Sequence, residues 1–525
     1  MYSLRFLRLK QAEVSPAAPA VGCPRGTHLA RSCQIQTSRD TTFLGKGRKM
    51  KPSMALVILA TVWTGFMTGI GMGASESTAF PPPIAGKWLG TITFGSVKLR
   101  IAFEIAQAQA GDYTGSMRSI DQNGLPYPMS AVKVGPDGLR LEMDMIRSVY
   151  EGRLLEDGDT IEGNWLQYGT TTPLVMQRVD QFPEIIRPQT PKKPYPYRDE
   201  DVAYENPSVH VHIAGTLTMP EDPGPFPAVL LIVGSGPLDR DEMVAYHRPF
   251  LVLADYLTRK GIAVLRVDKR GVGQTTGDFE EATIYDLADD VRAGVEYLKT
   301  RKEIDPKCIG LLGHSEGGVV GPILASQSAD IAFVVMLAGP GQNNGDIIIF
   351  QKTWAARQRG ADESTFALMR SWYERLYELV REDTDDATAE KKIRALHATL
   401  TADEKEKLGW PDHELDRQIA DQLRHHWRCD VRHDPRATLM KVQCPVLALN
   451  GEKDVQVPAK ENLAIIEEAL KAGGNTGSTI REFPGLNHGF RTAQHGPGSD
   501  DETIAPAVLQ TISDWIIAQT RSQAR

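Results

Sequence analysis

Six residues, Gly313-His314-Ser315-Glu316-Gly317-Gly318, constrain this chain more than any other stretch. The apolar run Ile309–Leu312 leads into them, and a helical stretch, Gly317–Gln327, leaves them. A serine between glycines at this spacing sits in a strained strand-to-helix turn that exposes its hydroxyl above the end of a sheet. Side chains at the flanking positions would collide with the neighbouring strand and helix, so glycine is needed there. The helix that follows directs a positive dipole at the site. The surrounding sequence has the matching rhythm. Apolar runs Ala228–Val233, Ala263–Val267, Ile309–Leu312, Phe333–Leu337, Val446–Leu449 and Thr479–Phe483 alternate with helical stretches such as Pro249–Arg259 and Tyr285–Lys299. That alternation predicts an α/β fold, a doubly wound and mostly parallel sheet covered on both faces, over residues 197–520. The rhythm breaks at 340–441, where Phe366, Met369, Tyr373, Leu376 and Val380 form one helical stripe and Leu415, Ile419, Leu423 and Trp427 another. This helical insertion reads as a lid over the strand ends.

A serine hydroxyl is a poor nucleophile without a base to accept its proton. The turn requires the chain order serine, acid, histidine, and two loops after predicted strands supply the partners. Val446–Asn450 leads into Gly451-Glu452-Lys453-Asp454, and Ile480–Phe483 into Pro484-Gly485-Leu486-Asn487-His488-Gly489. His488 is the expected base and Asp454 the carboxylate that orients it, with Glu452 as the competing acid. His314 is fixed beside the nucleophile and reads as structural. Acyl transfer also needs donors for a tetrahedral oxyanion. The backbone N–H of Glu316 is one, and the loop Gly234-Ser235-Gly236-Pro237 offers the other, from Ser235 or Gly236.

The front of the chain is different. Over 84–181, short alternating runs separated by turn signals such as Asp157-Gly158-Asp159 predict a small all-β barrel or sandwich, with Trp88 and Trp165 in its core. Residues 182–196 are Pro-rich and read as a linker. Residues 1–74 read as an extension and a signal peptide, with the natural start at Met50. A basic segment, the apolar run Ala55–Met72 and the small residues Gly73-Ala74 predict cleavage after Ala74. An uncleaved membrane anchor is the alternative, because the run approaches bilayer length. Through Ala74 there are ten Lys/Arg against two Asp/Glu, and the remainder carries the negative charge that brings the whole to −8. That balance gives no reason to expect nucleic acid as a partner. At 41% hydrophobic and 24% charged, the chain is neither collagen-like, coiled-coil nor wholly disordered. Cys308, Cys429 and Cys444 are too few for a disulfide framework. Gly271, Gly273 and Gly277 lack the dinucleotide spacing and read as a turn. His425, His426, Cys429 and His433 lack a second cluster, so neither metal nor organic cofactor is expected.

From Pro194 to Ile516 the chain resembles the EstD-type branch of bacterial α/β-hydrolases, carboxylesterases related to serine aminopeptidase-like hydrolases. Five segments carry the resemblance, in order: Gly234-Ser-Gly-Pro-Leu-Asp-Arg-Asp-Glu242, Val267-Asp-Lys-Arg-Gly-Val-Gly273, Gly313-His-Ser-Glu-Gly-Gly318, Gly451-Glu-Lys-Asp-Val-Gln-Val-Pro458 and Asn487-His488. The resemblance implies an α/β-hydrolase fold, Ser315, Asp454 and His488 as a triad, and action on short acyl esters. The expectation is therefore an exported serine carboxylesterase, periplasmic or secreted, with a small-molecule ester as substrate. Membrane contact is expected through an uncleaved N-terminal segment alone. A peptidase with the same triad is one alternative. Another is a deacetylase directed by a carbohydrate- or lipid-binding β-domain.

Overall fold

The computed structural model describes residues 84–523, apart from 95–96, 109–111, 122–125, 136–137, 168–169, 184–186, 383 and 494–500. The expected start at Met50 and the signal segment lie outside the described residues. Nine strands come first: β1 (Gly86–Phe94), β2 (Val97–Gln107), β3 (Tyr113–Ser119), β4 (Tyr127–Pro128), β5 (Ala131–Gly135), β6 (Gly138–Met143), β7 (Ser148–Leu154), β8 (Thr160–Gln167) and β9 (Thr170–Val179). They form one antiparallel sheet in the order β4-β3-β2-β1-β9-β8-β7-β6-β5. The sheet curls until β3 approaches β5, so it is barrel-like and not a two-sheet sandwich. Strand periodicity explains its interior. In β6, Leu139, Leu141 and Met143 turn inward while Arg140 and Glu142 turn outward. Trp88 and Trp165 are both buried in the core, and the Trp88 indole N–H donates to the Ile84 carbonyl at 2.9 Å.

Eight strands build the second sheet: β10 (Arg198–Asn206), β11 (Val211–Met219), β12 (Phe226–Ile232), β13 (Ala263–Val267), β14 (Ile304–His314), β15 (Val334–Leu337), β16 (Val446–Gly451) and β17 (Thr479–Phe483). Their order is β10-β11-β13-β12-β14-β15-β16-β17, parallel from β13 to β17, with β10 and β11 added antiparallel at one edge. This is the α/β-hydrolase architecture. Successive residues of β12 serve opposite faces. Leu230 packs with Val291 of α2 (Ile284–Lys299) and Ile323 of α3 (Gly317–Ala325), whereas Val229 packs with Phe250 and Leu253 of α1 (Pro249–Thr258). The parallel registers pair Ile232 with Gly313, His314 with Leu337, Leu337 with Leu449 and Gly451 with Phe483. The loops after β12, β14, β16 and β17 therefore leave the same carboxyl edge, where open α/β sheets carry their ligands.

Between β15 and β16 the insertion folds as α4 (Asn344–Gln358), α5 (Glu363–Arg381), α6 (Asp386–His397), α7 (Ala402–Leu408), α8 (Leu415–Leu423), α9 (His425–Arg432) and α10 (Pro435–Leu439). It has its own core, in which Met369, Trp372, Leu376 and Val380 meet Ile393, Trp410, Ile419 and Trp427. Phe366, expected in that stripe, is half-buried beneath the Arg357 guanidinium, 4.5 Å from its ring centroid. Helix α4 reaches the carboxyl edge of the sheet, since the Gln351 amide donates to the Gln456 carbonyl at 3.1 Å. Leu376→Ala, which empties a fully buried position, is expected to destabilise the insertion by about 2–5 kcal/mol, read as a lower denaturant midpoint.

Candidate active site

The turn after β14 is built by contact between backbones. A Cβ on Gly313 would lie 1.9 Å from the Gly317 carbonyl oxygen, and one on Gly317 would lie 2.1 Å from that of Ile232. No rotamer relieves such a clash, so both positions need glycine. Between them Ser315 takes φ +54°, a left-handed conformation that is unfavourable for a residue with a side chain. Its N–H donates to the Leu337 carbonyl at 2.8 Å, and its carbonyl accepts from the Gly318 N–H at 2.9 Å. The serine is thereby anchored to β15 on one side and to α3 on the other.

The two loops after β16 and β17 bring Asp454 and His488 together. His488 Nδ1 donates to Asp454 Oδ2 at 2.7 Å, and the aspartate side chain is fully buried. Asp454 Oδ1 accepts from the N–H groups of Gln456 and Val457, at 2.8 and 2.9 Å. Glu452, the competing acid, does not face the imidazole. Its Oε2 accepts from the Gly485 N–H at 2.9 Å, and that bond, with the Lys453 ammonium, holds its carboxyl below the usual range. Asn487 closes the histidine loop, its side-chain oxygen accepting from the N–H groups of Gly489 and Arg491. No hydrogen bond joins Ser315 to His488 among the described residues. His314, the residue before the serine, places its ring 4.8 Å from that of His488, centroid to centroid.

The loop after β12 approaches the serine closely. A Cβ on Gly234 would lie 3.3 Å from Ser315 Cβ. The Gly234 N–H is already committed, donating to Glu242 Oε1 at 2.8 Å. Among the described residues, the amides of Ser235, Gly236 and Glu316 donate to no protein acceptor, so these N–H groups are open to an incoming oxygen. Lys269, buried, holds both sides of this opening. Its ammonium donates to the Gly234 carbonyl and to Glu316 Oε2, each at 2.6 Å. Sequence reasoning did not single out Lys269 or Glu242, although both lie inside segments that carry the family resemblance. Their partners are far away in the chain, and only the sheet order brings them into contact.

The other motifs have plainer roles. Gly271, Gly273 and Gly277 all have positive φ in a turn closed by Lys269 and Val272 carbonyls. His433 packs edge-on against Tyr285, and its burial pulls its pKa down to about 4. Among the described residues no group of three or more His, Cys, Asp or Glu side chains is placed to hold a metal ion.

The sequence profile of the X-Pro dipeptidyl-peptidase (S15) family matches residues 209–480, just over half of the chain. The chain is similar to esterase EstD of Thermotoga maritima, 32% identical over 172 residues that make up 32% of this chain and 41% of that protein. It is also similar to acyl-coenzyme A thioesterase 1 of Mus musculus, 27% identical over 139 residues, 26% of this chain and 30% of that one. The chain thus spans less than half the length of the curated relatives it matches. A solved structure of the Pyrococcus furiosus esterase Pf2001 superposes with a TM-score of 0.38 at 15% identity, covering 61% of this chain and 93% of that one.

His314 carries the clearest electrostatic signature of the site. Burial acts to lower its pKa, yet Glu242, the bond to the His488 carbonyl and Asp454 outweigh burial and push it up to about 9. A histidine raised from 6.5 to about 9 on folding stabilises the fold fully below pH 6.5. That contribution is lost as pH rises through about 9. Denaturant unfolding between about pH 7 and 10 is therefore expected to show a fall in stability that His314→Asn abolishes.

Proposed function

The chain belongs to the X-Pro dipeptidyl-peptidase (S15) family, and on that premise we propose that it is a serine hydrolase that cleaves carboxylic esters through Ser315, His488 and Asp454. Ser315 Oγ attacks the ester carbonyl carbon while His488 Nε2 takes its proton. Asp454 holds the imidazole by Nδ1 and stabilises the imidazolium that forms. The carbonyl oxygen, now an oxyanion, accepts from the Glu316 N–H and from Ser235 or Gly236. As the tetrahedral intermediate collapses, the C–O bond to the alcohol breaks and His488 returns its proton to the leaving oxygen. Water then attacks the acyl-serine with His488 as base, releasing the acid and restoring Ser315. The observation that carries this reading is the 2.7 Å Asp454–His488 bond beside the strained serine.

The similarity to an esterase supports an ester in preference to a peptide. A specific observation favours the second reading, a peptidase, since the matching family profile is that of an X-Pro dipeptidyl-peptidase. A peptidase of that kind needs a free carboxylate to receive a substrate ammonium. The carboxylates beside Ser315 are each committed: Glu242 to His314, Glu316 to Lys269 and Asp454 to His488. On the lid, Glu374 and Glu378 lie on the exposed face of α5, and Glu363 pairs with Arg357. The buried tryptophans of the β-domain offer no stacking surface for a carbohydrate, which weighs against a polysaccharide deacetylase.

Export to the periplasm or medium is part of the same proposal, and its support is the signal-like pattern ending at Ala74. Intact mass of the protein recovered from a periplasmic fraction is expected to begin at Ser75. For the chemistry, p-nitrophenyl esters of graded acyl length are expected to be hydrolysed by the wild type. Ser315→Ala or His488→Ala should lose at least about 10³-fold in kcat, with Asp454→Asn also strongly impaired. Turnover of aminoacyl-prolyl anilides with negligible ester hydrolysis would move the protein to the peptidases.

A further inference from the structure

Glu242 and His314 take no part in the chemistry above, yet the Gly234 loop and the His488 loop are both tied to them. Glu242 lies on the loop after β12 and is buried. Its Oε1 accepts from the Gly234 N–H at 2.8 Å and sits 2.8 Å from His314 Nδ1. The other ring nitrogen, Nε2, sits 3.0 Å from the backbone carbonyl of His488. Both nitrogens therefore face acceptors, and an imidazole supplies a proton to each only when it is the imidazolium. We propose that Glu242, buried, and His314, half-buried, form a charged positioning pair that sets the oxyanion loop and the base in register with Ser315. The proposal rests on the reading of Ser315, His488 and Asp454 as the triad.

The arrangement is a second acid–imidazole pair packed against the first, with the two rings tilted by 48°. Asp454 orients His488 by its ring, and Glu242 orients it by its backbone through His314. The same carboxylate oxygen holds Gly234, so one group links the loop that receives the oxyanion to the residue that moves the proton. The loop carrying Glu242 is itself held in an unfavourable conformation. Glu242, Ala245 and Tyr246 have φ of +53°, +53° and +62°. A connection between β12 and α1 needs no such backbone, and side-chain-bearing residues stay there only when surrounding contacts insist. Those contacts are present. Asp239 Oδ1 accepts from the N–H groups of Asp241 and Met243, Arg187 donates to the Ala245 carbonyl at 2.9 Å, and His247 Nδ1 meets Thr503 Oγ1 at 2.9 Å.

Charge is needed as well as shape. Among the described residues Glu242 Oε2 has no hydrogen-bond partner, and the adjacent imidazolium compensates its charge. The groups facing His314 are Glu242, His488 and Asp454, from the loops after β12, β17 and β16, with the Lys269–Glu316 pair alongside. In Glu242→Gln the imidazole loses its counter-charge, becomes neutral, and keeps one of its two donations. Either the oxyanion loop or the His488 backbone is then released.

The test uses the full chain and three variants, Glu242→Gln, Glu242→Asp and His314→Asn, with Ser315→Ala as the reference for triad-dependent turnover. On p-nitrophenyl esters, Glu242→Gln and His314→Asn are expected to lower kcat by about ten- to a hundred-fold while KM stays within about two-fold. The wild-type kcat should fall as pH rises through about 9, with that limb moved down in Glu242→Gln. Glu242→Asp, which keeps the charge, should recover part of the loss. Histidine-labelled protein read by NMR gives a measure independent of turnover. One imidazole should stay protonated to about pH 9 in the wild type, disappear in His314→Asn, and titrate lower in Glu242→Gln. Variants that keep wild-type kcat, or lose it only in proportion to unfolded protein with an unchanged pH profile, would overturn the proposal. So would an NMR titration in which no histidine remains charged above pH 7. Turnover that survives Ser315→Ala would instead remove the triad reading, leaving the NMR arm to decide the pair.

Discussion

Backbone meets backbone where Gly313, Gly317 and Ile232 converge. With 1.9 and 2.1 Å left for two absent Cβ atoms, strand β14, helix α3 and strand β12 stand as near to one another as chains can. The turn between β14 and α3 has no slack, and Ser315 is driven into a left-handed conformation. Much of the site follows. Because Ile232 pairs with Gly313, the loop that continues from β12 must pass Ser315 at Gly234. The residue after the serine must offer its amide at the first turn of α3. The constraint acts through volume, and a single added methyl group at either glycine would break it.

Charge holds what volume has brought together. Three acid–base pairs surround the serine among the described residues: Asp454 with His488, Glu242 with His314, and Lys269 with Glu316. Buried ion pairs are weak contributors to net stability, because desolvation offsets most of their attraction. Their value here is directional. Lys269 spans the two sides of the opening by holding the Gly234 carbonyl and the Glu316 carboxylate. Glu242 holds the Gly234 amide and, through His314, the His488 backbone. With Gly234 committed at both ends, the amides left over are those of Ser235, Gly236 and Glu316. The N–H groups left open beside Ser315 are thus held in place by their neighbours, and fixed donors of this kind need no reorganisation when charge develops near them.

The serine turn, the sheet rhythm and the helical insertion were legible because each is a local pattern: glycine spacing, apolar strand runs and helical stripes. Strand β10 was not, since Asp199, Glu200, Asp201 and Glu205 make it an edge strand with little apolar signal. Strand β7 was hidden likewise, its inward Tyr150 standing among Glu151, Gly152 and Arg153. The choice between Asp454 and Glu452 could not be made by order along the chain, because both sit in one turn. Their side chains point apart in the fold: Asp454 faces the imidazole, Glu452 the Gly485 amide. His314 read as structural from its place beside the serine. Its link to His488 needed the fold, because 174 residues separate the two in the chain. Glu242 and Lys269 were legible as family-like residues without any visible task, and their tasks exist only across the carboxyl edge of the sheet.

The central claim is that Ser315 is the activated nucleophile, and covalent capture addresses it without a choice of substrate. A fluorophosphonate probe incubated with the wild type, followed by intact mass and peptide mapping, reads which atom attacks. The account predicts one adduct per chain, on Ser315, absent in Ser315→Ala and formed far more slowly in His488→Ala. An adduct on another residue, or labelling of Ser315 at the same rate without His488, would contradict it.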